Sequence, residues 1–218
     1  IGGDGGASTN IGGALAFLLA GLLPEYEIAG VHAGAGEGGK NQLAGMDQGF
    51  VTAAQVALEM AAARGITPNV VQAHGTSTRL NNIAEIQSLY YLYQQMGYSH
   101  PLAISAIKGL LGHLMAVAAG VDTVMARASL MEQRAPGLFN FQADWLDPRY
   151  AHDIPGALEG ALKFSGSPTE GRDIEGGIEG ILGVSQGFGS MNAAVVFGRV
   201  GETKEDVRER LLADVDVP

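Results

Sequence analysis

Two histidines stand where an imidazole can do chemistry, each shortly after an apolar run that reads as a strand. The first opens His74-Gly75-Thr76-Ser77-Thr78, directly after VVQA. In open α/β folds ligands gather beyond the carboxyl ends of the strands, so an imidazole followed by three hydroxyl side chains would form a ligand cradle there. A turn in which Thr and Ser bond nearby backbone accounts for the same residues, and the segment alone does not separate the two readings. The second histidine closes Lys108-Gly109-Leu110-Leu111-Gly112-His113, after LAISA. At the start of a helix the dipole disfavours an imidazolium, which suits a neutral, hydrogen-bond-donating ring. Lys108, if drawn into a dry site, needs a carboxylate, because an unpaired buried charge is costly. Glu85, on the first turn of the helix after the threonines, is the candidate partner. As surface residues the two would be unrelated charges. Two histidines at the ends of two strands in one sheet favour a site.

A third candidate is Gly187-Phe188-Gly189-Ser190-Met191-Asn192, between two apolar runs. Glycine lets backbone amides approach a substrate oxygen, although taken alone the segment is a hairpin turn. Gly34-Ala35-Gly36-Glu37-Gly38-Gly39 matches the dinucleotide pattern GxGxxG, which requires a helix to start within the motif. Here Lys40–Gly45 intervenes, and Glu37 would set a carboxylate beside the phosphates. His32, His100 and His152 fall in a strand, before a proline and in a polar loop. No histidine pair has zinc spacing, so no metal site is expected.

The elements that must position these residues alternate. Ile11–Leu23 reads as a short buried helix and Glu25–Ala33 as a strand. Helices are expected at Met46–Arg64, Asn82–Met96 (capped by Asn81 or Asn82) and Gly112–Met131. Strands are expected at Val70–Ala73, Leu102–Ala106, Ala157–Ser165, Gly180–Ser185 and Asn192–Phe197. Such alternation implies a mostly parallel sheet covered by helices. GSPTEGRDIEGGIEG, at 166–180, reads as a flexible excursion. Residues 114–126, LMAVAAGVDTVMA, carry one charge, Asp122, and no polar face. A helix of that kind belongs in an interior, between two sheets.

Composition bounds the function. The 218 residues suit one large domain or two small ones, at about 100–200 residues per domain. Hydrophobic residues make up 46 %, enough for a core. Net charge is −10, and no stretch is rich in Lys and Arg, which argues against nucleic acid. Acidic residues concentrate after Gly201, where a solvated helix or tail is expected. There is no cysteine, so this chain alone has no disulfide and no thiol nucleophile. No apolar run reaches the roughly 18 residues of a membrane span, and cytoplasmic is the default location. The chain opens on Ile1 within a glycine-rich phrase, as the middle of a protein would, so a fragment or processed subunit is expected.

Together VQAHGTST, Glu85 eleven residues past His74, SAIKGLLGH, AVAAG and GVSQGFGSMNAAVVF resemble the class I/II β-ketoacyl-(acyl carrier protein) synthases, condensing enzymes of the thiolase superfamily. The resemblance runs from about Glu25 to Arg199. It implies an α/β fold, the thiolase-like layered α-β-α-β-α sandwich, of which this chain supplies mainly the C-terminal half. The division implied is 1–24 as the end of the N-terminal half or a connection, 25–200 as the synthase C-terminal domain, and 201–218 as an acidic tail. The chemistry implied is a decarboxylating Claisen condensation of an acyl thioester with malonyl thioester, in fatty acid or polyketide synthesis. His74 and His113 would bind the malonyl thioester oxygen, and Lys108 would pair with Glu85. Thr76 and Thr78 would hold the phosphopantetheine arm. The Phe188 amide, flanked by Gly187 and Gly189, would help form the acyl oxyanion hole, with its ring as a gate.

No separate cofactor is implied, since substrates ride on the phosphopantetheine of acyl carrier protein or on CoA. Partners implied are that carrier protein, the N-terminal half of the same enzyme and a second copy in a homodimer. The sequence departs from the family in several places. The nucleophilic cysteine has no equivalent here, Asn82 stands where an acid is common, and Gln186, Ser190 and Met191 replace more usual residues. The 166–180 insertion is not typical, and this acidic chain offers few basic patches for a carrier protein. Two other readings compete: a non-catalytic partner of the chain-length-factor kind, and a dinucleotide-binding module using GAGEGG. Chain-length-factor partners usually lose the histidines as well as the cysteine, which favours an enzyme.

Overall fold

The computed structural model describes residues 26–35, 47–140, 160–170, 174, 176–187 and 191–199. The expected helix at 11–23, the terminal segments 1–24 and 201–218, and the turn residues Phe188, Gly189 and Ser190 lie outside the described residues. In chain order the elements are β1 (Tyr26–Ala35), α1 (Gln48–Ala62), β2 (Val70–Gln72), α2 (Arg79–Gln95), β3 (Leu102–Ser105), α3 (Lys108–Leu111), a 3-10 turn (Met115–Val117) and α4 (Ala118–Glu132). There follow β4 (Arg134–Ala135), β5 (Leu162–Phe164), β6 (Thr169–Glu170), β7 (Gly180–Gly187) and β8 (Met191–Arg199).

Six strands form one sheet in the order β1-β8-β7-β2-β3-β5. The run β7-β2-β3-β5 is parallel. β8 folds back antiparallel on β7, and β1 pairs antiparallel with β8. The sheet is therefore mixed: its parallel part carries the two histidine segments, and the hairpin β7–β8 caps one side.

Alternation of side-chain direction along strands buried on both faces sorts the helices. Val71, Ala73, Ile104, Leu182, Val184 and Val196 face α1 and α2, where Phe50, Ala54, Ala57, Leu58, Leu89 and Leu92 complete the larger core. Val70, Ala103, Ile181 and Phe197 face the opposite way and meet Ala126 and Leu130 of α4. Helices thus cover both faces of the sheet. The alanines of α1 allow close approach: Ala54, Ala57 and Ala61 are fully buried.

The expected helix 112–131 is broken. Gly112 at φ +74° and Met115 at φ +49° interrupt the chain, and α4 begins only at Ala118. The backbone turns before the apolar run because both residues adopt left-handed conformations that no helix contains. One side of α4 packs on the sheet, while Val124 is 51 % exposed, and Leu114, Met115 and Val117 are exposed beside it. Helix α2 starts at Arg79 after an extended Thr78, three residues before the expected start at Asn82, so neither Asn81 nor Asn82 is its cap. The 166–180 excursion is anchored at both ends. β6 pairs with β4, and the Gln133 side chain bonds Ile178 at both its amide and its carbonyl, at 2.8 and 3.1 Å. Asn69 does the same for the Glu179 amide and the Gly177 carbonyl.

Candidate active site

β2 and β3 are parallel neighbours, so the residues that follow them leave the sheet side by side. The pairing Gln72 with Ser105 is the last in register, and the Ala73 amide still donates to the Ser105 carbonyl at 2.8 Å. His74 follows at once, and Lys108 opens α3 on the adjoining strand. Gly75 adopts φ +53°, and a Cβ there would sit 2.7 Å from the Ala106 Cβ, so only glycine fits without displacement. The His74 segment is pressed against β3.

That closeness brings the two imidazoles together. The ring centroids of His74 and His113 are 5.5 Å apart, edge to face at 85°. His113 is exposed, and its Nδ1 accepts the Met115 amide at 3.0 Å. A neutral ring accepting at Nδ1 carries its hydrogen on Nε2. His74 is buried, and its Nδ1 has no hydrogen-bond partner. A hydrogen placed there would be a buried donor with nothing to receive it, so Nε2 is again the N–H. Burial, then the Lys108 charge, then His113 hold the His74 pKa down to about 3. His113 is lowered chiefly by desolvation and next by Lys108, with Asp122 opposing. Both rings are neutral Nε2–H donors. At His113 desolvation and the nearby lysine, rather than a helix dipole, favour the neutral form, since the long helix starts five residues later.

The expected pairing of Lys108 with Glu85 is not found. Lys108 Nζ bonds Asp122 Oδ2 at 2.6 Å, with side chains only 5 % and 8 % exposed. Gln72 Nε2 donates to the other Asp122 oxygen at 3.4 Å, and Ser105 Oγ donates to Gln72 Oε1 at 3.0 Å. The reason lies in the layers. Gln72 and Asp122 lie on the α4 side of the sheet, whereas α2 packs on the opposite side. Burial raises the Asp122 pKa, against the lowering pull of Lys108.

Glu85 serves the same loop differently. Its oxygens accept the amides of His74 at 2.6 Å and Gly75 at 2.9 Å, and Asn81 Nδ2 at 3.2 Å. Burial raises its pKa, and these hydrogen bonds oppose the rise. Glu85 thus clamps the backbone that presents the imidazole of His74. Thr76 and Thr78 stand beyond, their hydroxyls 3.4 Å apart and open to solvent. Gly187 ends β7 opposite Met191.

A cavity of about 250 Å³ lies between α2 and the β3–β5 edge, bordered by Gly75, Ser77, Asn82, Glu85, Ala106 and Phe164 among others. Neither imidazole lines it. Of the dinucleotide-like segment, Gly34 and Ala35 end the antiparallel edge strand β1, and Gly36–Gly39 lie outside the described residues. The sequence reading missed Asp122, Gln72 and Ser105 as members of the site. Asp122 had a signal: it is the lone charge in the apolar run 114–126, and a carboxylate buried there requires a cation.

Comparison with known proteins adds to this geometry. Residues 27–142 match the family model for the β-ketoacyl synthase C-terminal domain. The chain is 29 % identical over 154 residues to 3-oxoacyl-[acyl-carrier-protein] synthase 2 of Vibrio harveyi, covering 71 % of this chain and 33 % of that protein. It therefore spans about a third of the length of the curated relatives it matches. Ketosynthase twelve of the bacillaene polyketide synthase from Bacillus amyloliquefaciens superposes with a TM-score of 0.64 at 17 % identity, over 81 % of this chain and 30 % of that one. A ketosynthase solved with its type II polyketide acyl carrier protein superposes with a TM-score of 0.55 at 21 % identity, over 81 % of this chain and 39 % of that one. These likenesses establish the ketosynthase, thiolase-like fold.

Proposed function

The chain belongs to the β-ketoacyl synthase family through its C-terminal domain, and on that premise we propose that it is the histidine-bearing half of a decarboxylating condensing enzyme. In this reading an acyl group waits as a thioester on a cysteine outside this chain. Malonyl thioester loses carbon dioxide, and the enolate left behind attacks the acyl carbonyl. The carrying observation is the pair of neutral imidazoles 5.5 Å apart at neighbouring strand ends. In this reading one thioester oxygen lies within about 2.7–3.1 Å of both Nε2–H groups, where negative charge develops as carbon dioxide leaves. Neutral donors suit the task, because each keeps its proton while it stabilises the oxyanion.

The Lys108–Asp122 pair holds the floor of this site and Glu85 holds its wall. The hydroxyls of Thr76 and Thr78 would meet a phosphopantetheine arm entering from solvent. The turn after Gly187 would supply, at Phe188, the amide that binds the acyl oxygen, with Gly189 giving it room. Substrates would arrive on acyl carrier protein, as the solved carrier complex of the related ketosynthase suggests, and no separate cofactor would be needed. The exposed apolar residues Leu114, Met115, Val117 and Val124 are the face on which the N-terminal half would pack, completing the layered sandwich and, in a second copy, a homodimer. A cytoplasmic location accompanies this chemistry.

The test uses the full-length protein that carries this chain, supplied with malonyl thioester, and measures carbon dioxide release and condensation. Loss of one oxyanion donor, in His74→Ala or His113→Ala, should slow release by about 10²–10³. Wild-type rates in either variant would refute the assignment. An intact mass showing no cysteine-bearing portion would favour the non-catalytic partner.

A further inference from the structure

A buried polar relay crosses the larger core between the hairpin β7–β8 and α2. Asp47 is 2 % exposed. Its Oδ1 accepts the amides of Gly49 and Phe50 at 2.9 and 3.2 Å, capping α1. Its Oδ2 accepts Gln186 Nε2 at 3.3 Å, across 139 residues of sequence. The Asp47 amide donates to Ser88 Oγ at 3.0 Å, and Ser88 donates to the Ala84 carbonyl one turn back in α2. Glu85, the clamp of the His74 loop, adjoins Ala84. Gln186 in turn adjoins Gly187, where the β7–β8 turn begins.

Helix capping alone does not account for Asp47. One oxygen suffices for a cap, and serine supplies it as well as aspartate does. The second oxygen, also kept out of water, accepts Gln186 Nε2. That bond ties the start of α1 to the penultimate residue of β7. The Gln186 Oε1 is buried without a hydrogen-bond partner, so its amide is oriented by Asp47.

We infer that Asp47 is a positioning residue that fixes Gln186, and through it Gly187, relative to the helix bearing the Glu85 clamp. It would thereby hold the end of β7, from which the proposed acyl-binding residues continue, in register with the histidine loop. The inference rests on the reading above, in which the residues after Gly187 bind the acyl oxygen and the histidines act on malonate. It separates the two half-reactions, because the relay meets the turn through a side chain but meets the histidine loop only through α2.

The experiment follows both half-reactions in the full-length protein: acyl transfer from acyl-CoA to the enzyme by intact mass, and carbon dioxide release from malonyl-CoA. Asp47→Ser keeps the cap but is too short to reach Gln186. It should slow acyl transfer roughly tenfold, equal to about 1.4 kcal/mol, while release stays within about twofold. Asp47→Asn should retain acyl transfer, because Gln186 can turn its amide over and offer Oε1 to the new Nδ2. Gln186→Leu should match Asp47→Ser, and the double variant should be no slower than either single one. Unchanged acyl transfer in Asp47→Ser, equal losses in both half-reactions, or multiplying effects in the double variant would overturn the inference while leaving the condensing reading intact. A wild-type protein that performs neither half-reaction would overturn both.

Discussion

Removing one member of the Lys108–Asp122 pair should cost more than removing both. At 2.6 Å and an effective dielectric of about 20, two unit charges attract by roughly 6 kcal/mol. Taking each ion out of water costs several kcal/mol, so the intact pair is close to balance. Asp122→Leu leaves a buried ammonium with nothing to meet it and strands Gln72 Nε2, which now donates to Asp122. Lys108→Met leaves a buried carboxylate. Each single variant should lose roughly 3–5 kcal/mol of folding stability, whereas the double variant should lie within about 1–2 kcal/mol of wild type. Urea denaturation at pH 7 of all four proteins reads this directly as a coupling energy. Stabilities that add, with the double variant losing the sum of the singles, would refute the claim that Lys108 depends on Asp122.

Three further outcomes follow from the same geometry. Folding holds the His74 pKa near 3, while in the unfolded chain it returns to its ordinary 6.5. Between those values the unfolded state binds the extra proton, so stability falls as pH drops from 6.5 towards 3. His74→Gln should remove up to about 1.4 kcal/mol per pH unit of that slope, measured by urea denaturation at pH 7, 6 and 5. The raised carboxyls of Glu85 and Asp122 act in the opposite direction, and they are retained in both proteins. Gly75→Ala combines a positive φ with a 2.7 Å clash on Ala106 and should cost about 1–3 kcal/mol in the same assay. Gln133→Ala deletes both bonds to Ile178, and the 166–180 segment should become the preferred site of limited proteolysis, with a loss of about 1–3 kcal/mol.

Much of this was legible in the chain itself because the signals were local. Each strand–helix alternation was marked by apolar runs and glycine or proline stops, and the ends of β2 and β3 placed His74 and His113 in one site. The partner of Lys108 was not legible. Glu85 and Asp122 are both carboxylates on helices near the site, and the choice between them depends on which face of the sheet each helix covers. Spacing along the chain carries no such information. The start of α4 was missed because Ala116–Gly120 is helical by composition, while the positive φ of Gly112 and Met115, on either side of His113, leaves no local signal in the apolar run. The antiparallel pairing of β1 with β8 joins residues far apart in sequence. The expected burial of this helix between two sheets is met on one side only among the described residues, where Val124 on the other side is exposed.

The central claim is that two imidazoles meet one oxygen. A crystal structure of the full-length protein with a non-hydrolysable malonyl-thioester analogue tests it most directly. Both Nε2 atoms should lie within hydrogen-bond distance of the same thioester carbonyl oxygen, with Nδ1 of His113 still accepting the Met115 amide. An analogue seated elsewhere, or contacting one imidazole while the other bonds only protein groups, would contradict the account.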